Sequence, residues 1–292
     1  GKLSDIVVEG LAGHKFALEY KDGKIVLNIS DTRDSESSVW TGDKGSVWDL
    51  MSTENFSSSD KLFVTGDELT FNDDASTTGV NLAEDVTPGN IFFKNNKKDY
   101  SLAGNGSILG EGSLNVEGTG TVNIKNTNKY SGGTNIKGGI LAPATLANKD
   151  GLEFGSLGSA DNTITLSNKG TLKVASGMTA SHPIVLGENG GTINNTGTLI
   201  LNGGIIRANG GKNRDLYKTG AGTLQLNCDA DFDVLYINQG TVYDFQDAHF
   251  SGKTIVLNGS KVVFQASNSI YSSNSDNVNI DVPKGKSGIW YP

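Results

Sequence analysis

Three aspartates that alternate along the chain are the first candidates for a metal-binding site. Asp229, Asp231 and Asp233 have the spacing with which a helix-flanked calcium loop begins. That loop also needs a glycine at its turn and a bidentate glutamate at its end, and Val234 and Gly240 stand at those positions instead. Residues two apart on a strand share one face, so we expect an acidic stripe on the outer surface rather than a metal site.

The adjacent pair Asp73 and Asp74 raises a second possibility, the acidic cluster with which some polysaccharide lyases hold calcium beside a basic residue. Neighbouring residues of a strand point to opposite faces, so the two carboxylates of such a pair would diverge. We therefore interpret Asp73 and Asp74 as residues with a structural role.

The other residue types that carry out catalysis are scattered along the chain. His14, His182 and His249 lie far apart, and no Gly-x-Ser-x-Gly phrase supplies a nucleophile, so we expect each histidine at a surface or a corner. Gly-Lys pairs occur without the upstream glycine of a phosphate loop. The lone Cys228 forbids an intrachain disulfide and is expected in the core. These patterns predict no catalytic residue, cofactor or metal ion, and hence a protein that is not an enzyme.

Aromatic side chains could bind carbohydrate, because sugar rings stack on exposed aromatic faces. The alternative is burial in the core or in a cap, which we favour for the two N-terminal tryptophans. The candidates are Trp40, Trp48, Tyr130, Tyr236, Tyr243, Trp290 and Tyr291.

The balance of charge argues against nucleic acid as a partner. The 292 residues carry a formal net charge of −8, and the densest basic cluster, residues 94–98, contains two asparagines. Proteins that bind nucleic acid present stripes of Lys and Arg, so we expect residues 94–98 to be a solvated turn. No apolar run approaches the roughly 20 residues that cross a bilayer, which predicts a chain that does not span a membrane.

Short segments of alternating apolar residues predict an all-β fold with almost no helix. Each has three to five residues and is bounded by Gly, Asn, Asp, Ser or Thr, which suit sharp corners. The segments are 61–64, 68–71, 90–93, 113–116, 121–124, 134–136, 162–166, 170–174, 183–186, 198–201, 222–226, 234–237, 253–257 and 261–264.

A repeated phrase separates a solenoid from a sandwich. Gly-Thr followed by alternating apolar residues occurs at 120–124, 170–174, 197–201, 222–226 and 240–243. Every coil of a solenoid meets the same environment, so one solution of corner and strand can be used again, with aliphatic residues stacked coil on coil. We therefore predict a single-stranded parallel β-helix over residues 60–292, expected to be part of a longer protein.

Residues 1–59 differ from the rest. Segments 16–20 and 24–29 flank Asp22 and Gly23, a strong signal for an antiparallel hairpin. Residues 32–59 are polar and rich in serine, which suits a linker or an N-terminal cap. We expect a hairpin and a linker or cap over 1–59, ahead of the coils.

Residues 118–141, GTGTVNIKNTNKYSGGTNIKGGIL, resemble a known family, the autotransporter-associated β-strand repeat of bacterial surface proteins. That family's pattern is Gly-x-Gly-Thr-Leu, Asn-x-Tyr-Ser-Gly-Gly-Thr, an aliphatic residue and Gly-Gly-Thr-Leu; Ile140 departs from it, standing where Thr is usual. A second copy, without the Tyr-Ser-Gly-Gly element, covers residues 218–242. The resemblance implies a right-handed β-helix of the passenger type and export to the cell surface, and it implies no particular reaction.

Three functions remain open at this point. The first is a surface rod with a structural or adhesive role, extracellular or on the outer membrane of a bacterium, which contacts glycans or proteins of a host or bacterial surface. The second is a polysaccharide lyase or hydrolase, which needs acidic residues and a base in one groove. The third is a glycan-binding module, which needs an exposed row of aromatic residues. We favour the first.

Overall fold

The computed structural model describes residues 2–8, 16–29, 33–175, 177–245, 254–265, 279–285 and 287–291. Within them the secondary structure is one 3-10 turn, Leu3–Asp5, and short β-strands. The strands are β1 (Phe16–Lys21), β2 (Lys24–Ile29), β3 (Ser37–Val39), β4 (Val47–Trp48), β5 (Glu68–Phe71), β6 (Gly79–Leu82), β7 (Ile91–Phe93), β8 (Tyr100–Gly104), β9 (Leu114–Val116), β10 (Thr121–Ile124), β11 (Thr134–Ile136), β12 (Ile140–Pro143), β13 (Phe154–Gly155), β14 (Gly158–Ser159), β15 (Ile164–Leu166), β16 (Gly170–Val174), β17 (Met178–Ala180), β18 (Ile184–Leu186), β19 (Gly191–Asn195), β20 (Leu199–Leu201), β21 (Ile205–Arg207), β22 (Leu216–Thr219), β23 (Thr223–Leu226), β24 (Val234–Ile237), β25 (Thr241–Phe245), β26 (Thr254–Leu257), β27 (Ser260–Gln265), β28 (Asn279–Asp281) and β29 (Gly288–Tyr291).

Three parallel sheets form the walls of a β-solenoid of about nine turns. The first sheet has 11 strands in the order β4-β6-β8-β10-β12-β16-β19-β22-β24-β26-β28. The second has eight, β3-β5-β7-β9-β11-β15-β18-β21, and the third has six, β17-β20-β23-β25-β27-β29. The predicted all-β solenoid is confirmed, and its right-handedness stays a prediction. Every predicted segment except 61–64 overlaps a strand.

The core is a set of aliphatic ladders that run along the solenoid. In the first sheet, Val122 pairs with Leu141, Leu141 with Leu172, and Leu172 with Ile193, and all four side chains are fully buried. Full burial of one aliphatic side chain contributes about 1.5–3 kcal/mol, so the ladder is the main source of stability for each added coil.

The repeated phrase needs its glycines because the backbone of the preceding coil lies against them. A Cβ atom added to Gly222 would lie 2.1 Å from the carbonyl oxygen of Gly197. One added to Gly170 would lie 2.2 Å from the carbonyl oxygen of Ile136. A Cβ atom cannot approach a carbonyl so closely, so any other residue at these corners would force the neighbouring backbone to shift.

The predicted N-terminal hairpin is confirmed. Strands β1 and β2 pair in antiparallel register, with Lys21 opposite Lys24. Asp22 and Gly23 between them have φ angles of 53° and 75°, as a two-residue type I′ turn requires.

The parallel sheets begin within residues 1–59, because β3 pairs with β5 and β4 pairs with β6. Aromatic rings fill the core of these first coils, and the contacts between Trp48 and its neighbours Phe56, Phe63 and Phe71 have centroid distances of 5.4–6.2 Å. Residues 61–64, which the sequence predicts as a strand, are not one. Their apolar residue Phe63 instead turns into this aromatic cluster.

A buried ion pair joins Arg33, which precedes β3, to Asp67, which precedes β5. Two nitrogens of the Arg33 guanidinium lie 2.6 and 2.8 Å from the two carboxylate oxygens of Asp67. The Asp67 side chain is fully buried and also accepts hydrogen bonds from the backbone N–H groups of Glu36 and Val64. This carboxylate therefore depends on Arg33 for its charge balance.

Candidate functional site

An open groove of about 570 Å³ lies where four neighbouring strands of the first sheet begin, β16, β19, β22 and β24. Its volume is within the range of small-ligand sites. We call it the tyrosine groove. Its lining residues are Asn168, Lys169, Asn189, Asn213, Asp215, Tyr217 and Tyr236.

Two stacked tyrosines form one wall of the tyrosine groove. Tyr217 and Tyr236 are partners in the parallel register of β22 and β24, so both side chains leave the same face of the sheet. Their ring centroids are 4.9 Å apart and the ring planes differ by 6°. The separation matches the spacing of adjacent strands, so the sheet itself sets the stack.

The Tyr217 ring is held in place by its hydroxyl group. That hydroxyl donates a hydrogen bond of 3.2 Å to Oδ2 of Asp215. Burial and the neighbouring Asp215 carboxylate raise the pKa of Tyr217 to about 12. The phenol therefore stays protonated and keeps donating at physiological pH.

Three asparagines line the corners that precede β16, β19 and β22. Asn168, Asn189 and Asn213 have φ angles of 48°, 60° and 54°, a left-handed conformation that asparagine tolerates better than most residues. All three are exposed, and Nδ2 of Asn189 donates a hydrogen bond of 2.9 Å to Oδ1 of Asn168. The stacked corners therefore present amide groups along the groove.

The groove contains one positive and one negative residue. Nζ of Lys169 lies 5.8 Å from the centroid of the Tyr217 ring. Asp215 is buried, and burial raises its pKa, while hydrogen bonds from Tyr217 and Val234 and the charge of Lys169 oppose that shift. With its two oxygens bonded to Tyr217 and to the backbone of Val234, Asp215 supports the wall of the groove.

The aromatic candidates lie in different environments, some buried and some half-exposed. Trp40 and Trp48 are fully buried, as predicted, and Tyr130 is also buried. Tyr243 lies half-buried on the third sheet, apart from the groove, so Tyr236 is the candidate that the fold brings to a groove. The side chains of the remaining two, Trp290 and Tyr291, lie outside the described residues.

The three alternating aspartates do face outward, although not from a strand. Asp231 and Asp233 bind Arg207 through contacts of 2.7 Å each, and Asp233 also accepts from the backbone N–H of Arg214 at 2.8 Å. Burial opposes ionisation of Asp233, but the hydrogen bonds from the two arginines hold its pKa below the usual range. The three aspartates therefore lie on the outer surface as expected, but Asp231 and Asp233 are paired with Arg207 in an ion-pair cluster, whereas Asp229 is exposed.

The pair Asp73 and Asp74 has the predicted structural role in a turn. The Asp73 carboxylate accepts hydrogen bonds of 2.9–3.1 Å from the backbone N–H groups of Asn96, Lys97 and Lys98. These bonds, that of Lys97 first, lower the pKa of Asp73. The basic cluster 94–98 is thus the solvated turn of the next coil, and Asp73 holds it.

The expectation that each histidine lies at a surface or a corner is confirmed for His182, which lies in the corner between β17 and β18 and is buried there. Its Nε2 accepts from the backbone N–H of Ala147 at 3.1 Å, and Nδ1 lies 2.9 Å from the carbonyl oxygen of Asn162. The ring is therefore neutral with its proton on Nδ1, and burial lowers its pKa. His14 and His249 lie outside the described residues. Cys228 is half-buried and packs against the core.

Sequence reasoning missed a fully buried lysine. Lys218 stands in the inward ladder of the first sheet between Ile193 and Ile237. Its Nζ donates to the carbonyl oxygens of Thr219 and Gly220 at 2.7 Å, and to a third at Gln239, 3.2 Å away. Burial lowers the pKa of Lys218 to about 8.

The same lysine hid the groove from the sequence. Lys218 breaks the apolar alternation of residues 216–219, so β22 was not predicted and Tyr217 was not recognised as an outward residue. The available signal was the position of Tyr217 and Tyr236, each one residue after a buried leucine.

Comparison with known proteins identifies no relative of this chain. No protein-family model, no curated protein and no solved structure matches this chain. A solenoid shape alone does not identify a repeat family, so membership of the autotransporter-associated repeat stays a prediction. In the described part of the chain, no helix has the length and apolar character needed to cross a membrane.

Proposed function

We propose that this chain is a secreted or surface-displayed β-solenoid with a structural or adhesive role. It acts as a rod that carries binding faces away from the cell and does not turn over a substrate. Its partners are glycans or proteins on a host or bacterial surface, and the net charge of −8 disfavours nucleic acid.

One observation carries the proposal. Three of the described side chains that seemed able to do chemistry are engaged in holding one coil against the next. Asp73 binds the turn of the following coil, Asp233 binds Arg207 and Arg214, and His182 bonds two backbone groups. Coils of a solenoid contact only their neighbours, so such bonds stiffen a rod.

Export to the surface rests on the repeat phrase. Residues 118–141 resemble a repeat of bacterial surface proteins, and the solenoid is the architecture that this resemblance implies. A rod of stacked coils also offers long outer faces for contact with other surfaces.

Location is tested by digesting intact cells of the encoding organism with a protease and probing for this chain. We expect cleavage without lysis, while an internal cytosolic protein is the control and remains whole. Cleavage of the chain only after lysis would overturn surface display.

The absence of turnover is tested on plant, bacterial and host polysaccharides incubated with the purified chain. Hydrolysis creates reducing ends and lyase cleavage creates unsaturated sugars, so both products are measured. We expect neither. A product from any substrate would overturn the proposal in favour of a polysaccharide hydrolase or lyase.

A further inference from the structure

We propose that the tyrosine groove binds a neutral oligosaccharide. The inference rests on the proposed function, because it names the ligand of one face of the surface rod. Three properties of the groove carry it: a rigid aromatic wall, a row of amides, and charges that cancel.

The aromatic wall is organised before any ligand arrives. Tyr217 and Tyr236 stack at 4.9 Å on adjacent strands, and Asp215 fixes the Tyr217 hydroxyl. Each ring covers one face of the other, so a pyranose ring would pack its C–H groups against the ring faces and edges that do not form the stack. A wall that needs no ordering on binding loses little conformational entropy, which favours affinity.

The amides match the chemistry of sugar hydroxyls. Each hydroxyl both donates and accepts hydrogen bonds, and each asparagine amide offers two donors and an acceptor. Asn168, Asn189 and Asn213 bring such groups from three successive corners, so the row follows the axis of the rod. An extended oligosaccharide along that axis would meet amides at successive sugar units.

The charges favour a neutral ligand over an anionic one. Lys169 and Asp215, the charged residues that line the groove, have opposite signs, and the charge of Lys169 acts on the Asp215 carboxylate. The lining of the groove is therefore nearly neutral. At longer range, the net charge of −8 on the whole chain repels polyanions.

The test is calorimetric titration of the purified chain with neutral gluco-, manno-, xylo- and chito-oligosaccharides. Uronate-containing and sulfated oligosaccharides form the comparison set. We expect a neutral ligand to bind, with an affinity that changes less than twofold when salt rises, because no ion pair contributes.

Two variants locate the site. Tyr236→Ala removes half of the aromatic wall, and we expect the affinity to fall about tenfold. Asn189→Gly removes one amide while keeping the left-handed corner, whose φ angle is 60°, and we expect a loss of about fivefold from one missing hydrogen bond. Tyr243→Ala, at a half-buried position on the third sheet, is the matched control and leaves affinity unchanged.

Circular dichroism establishes that each variant folds; if Tyr236→Ala does not, Asn189→Gly carries the test because its backbone is preserved. Three results would overturn the inference: no binding of neutral oligosaccharides at millimolar concentration, salt-sensitive binding of anionic ones alone, or binding that both groove variants leave intact. Each of these leaves surface location and the absence of turnover standing, so failure of the ligand assignment is separable from failure of the proposed function.

Discussion

Replacing the buried lysine of the first sheet tests how the solenoid tolerates a charge in its core. Lys218→Met keeps a side chain of similar length between Ile193 and Ile237 and removes the ammonium group. The three carbonyl oxygens that Nζ contacts then lose their partner.

The expected cost follows from two opposing effects. Each buried acceptor left without a donor costs about 1–3 kcal/mol, which gives about 6 kcal/mol for three acceptors. Against this, methionine avoids the desolvation that lowers the lysine pKa from 10.5 to about 8, worth about 3 kcal/mol at neutral pH. We therefore expect Lys218→Met to lower the free energy of unfolding by about 3 kcal/mol.

The pH dependence gives this prediction a second readout. Between pH 8 and 10.5 the unfolded lysine still holds its proton while the folded one loses it, so the unfolded state binds more protons. The stability of the wild type should therefore rise with pH across this window relative to the variant. The penalty of the buried charge is fully present below pH 8 and is lost by pH 10.5.

The assay is urea unfolding followed by circular dichroism at pH 7, 8, 9 and 10. Lys173→Met is the control, because Lys173 lies on β16 of the same sheet and is exposed on its outer face. We expect the control to change stability by less than about 0.5 kcal/mol. Equal stability of Lys218→Met and wild type at pH 7, with parallel pH profiles, would refute the reasoning.

Three further predictions concern corners, ion pairs and protonation. Gly222→Ala should destabilise the chain by about 1–3 kcal/mol in urea unfolding, because the added Cβ meets a carbonyl oxygen. Gly79→Ala is the control and should be nearly neutral, because no atom lies within 4 Å of the added Cβ. Equal effects of the two substitutions would contradict the close-approach argument. Arg33→Gln leaves the buried Asp67 carboxylate without its ion-pair partner and should lower the free energy of unfolding by about 3–5 kcal/mol. Lys149→Gln breaks the exposed pair with Asp161 and should lower it by only about 0–1 kcal/mol. An Arg33→Gln variant as stable as wild type in urea unfolding would show that the buried pair is dispensable. Burial lowers the pKa of His182, so the contribution of its neutral ring to stability is complete above pH 6.5 and is lost as the pH falls. The wild type should therefore lose more stability than His182→Gln between pH 7 and pH 5. Equal losses would count against a buried neutral ring.

Much of the fold was readable from the sequence because its signals are local. Residues 170–174 alternate threonine and lysine outward with leucine and valine inward, and they form β16 as predicted. Residues 216–219 were not predicted as a strand, because Lys218 breaks the apolar alternation. A lysine on the core face is acceptable here only because three carbonyl oxygens surround its Nζ. Those carbonyls come from the following turn and the next coil, which local alternation does not reveal.

Besides Lys218, a second feature hid the groove, which is coil length. The coil from Ile193 to Lys218 contains more residues than the one before it, from Leu172 to Ile193, or the one after it, from Lys218 to Ile237. The extra residues form the corner that carries Asn213 and closes one side of the groove.

The ion pairs around that corner explain why it can stay in place. Asp233 binds the backbone and side chain of Arg214, and Nη1 of Arg214 bonds the carbonyl oxygen of Ala208, so both ends of the added segment are tied. Asp233, the last of the three alternating aspartates, therefore supports the corner beside the groove. In a solenoid, residues inserted into one coil map to loops on one face, often the binding face, so the charged residues to inspect first are those that hold such an insertion in place.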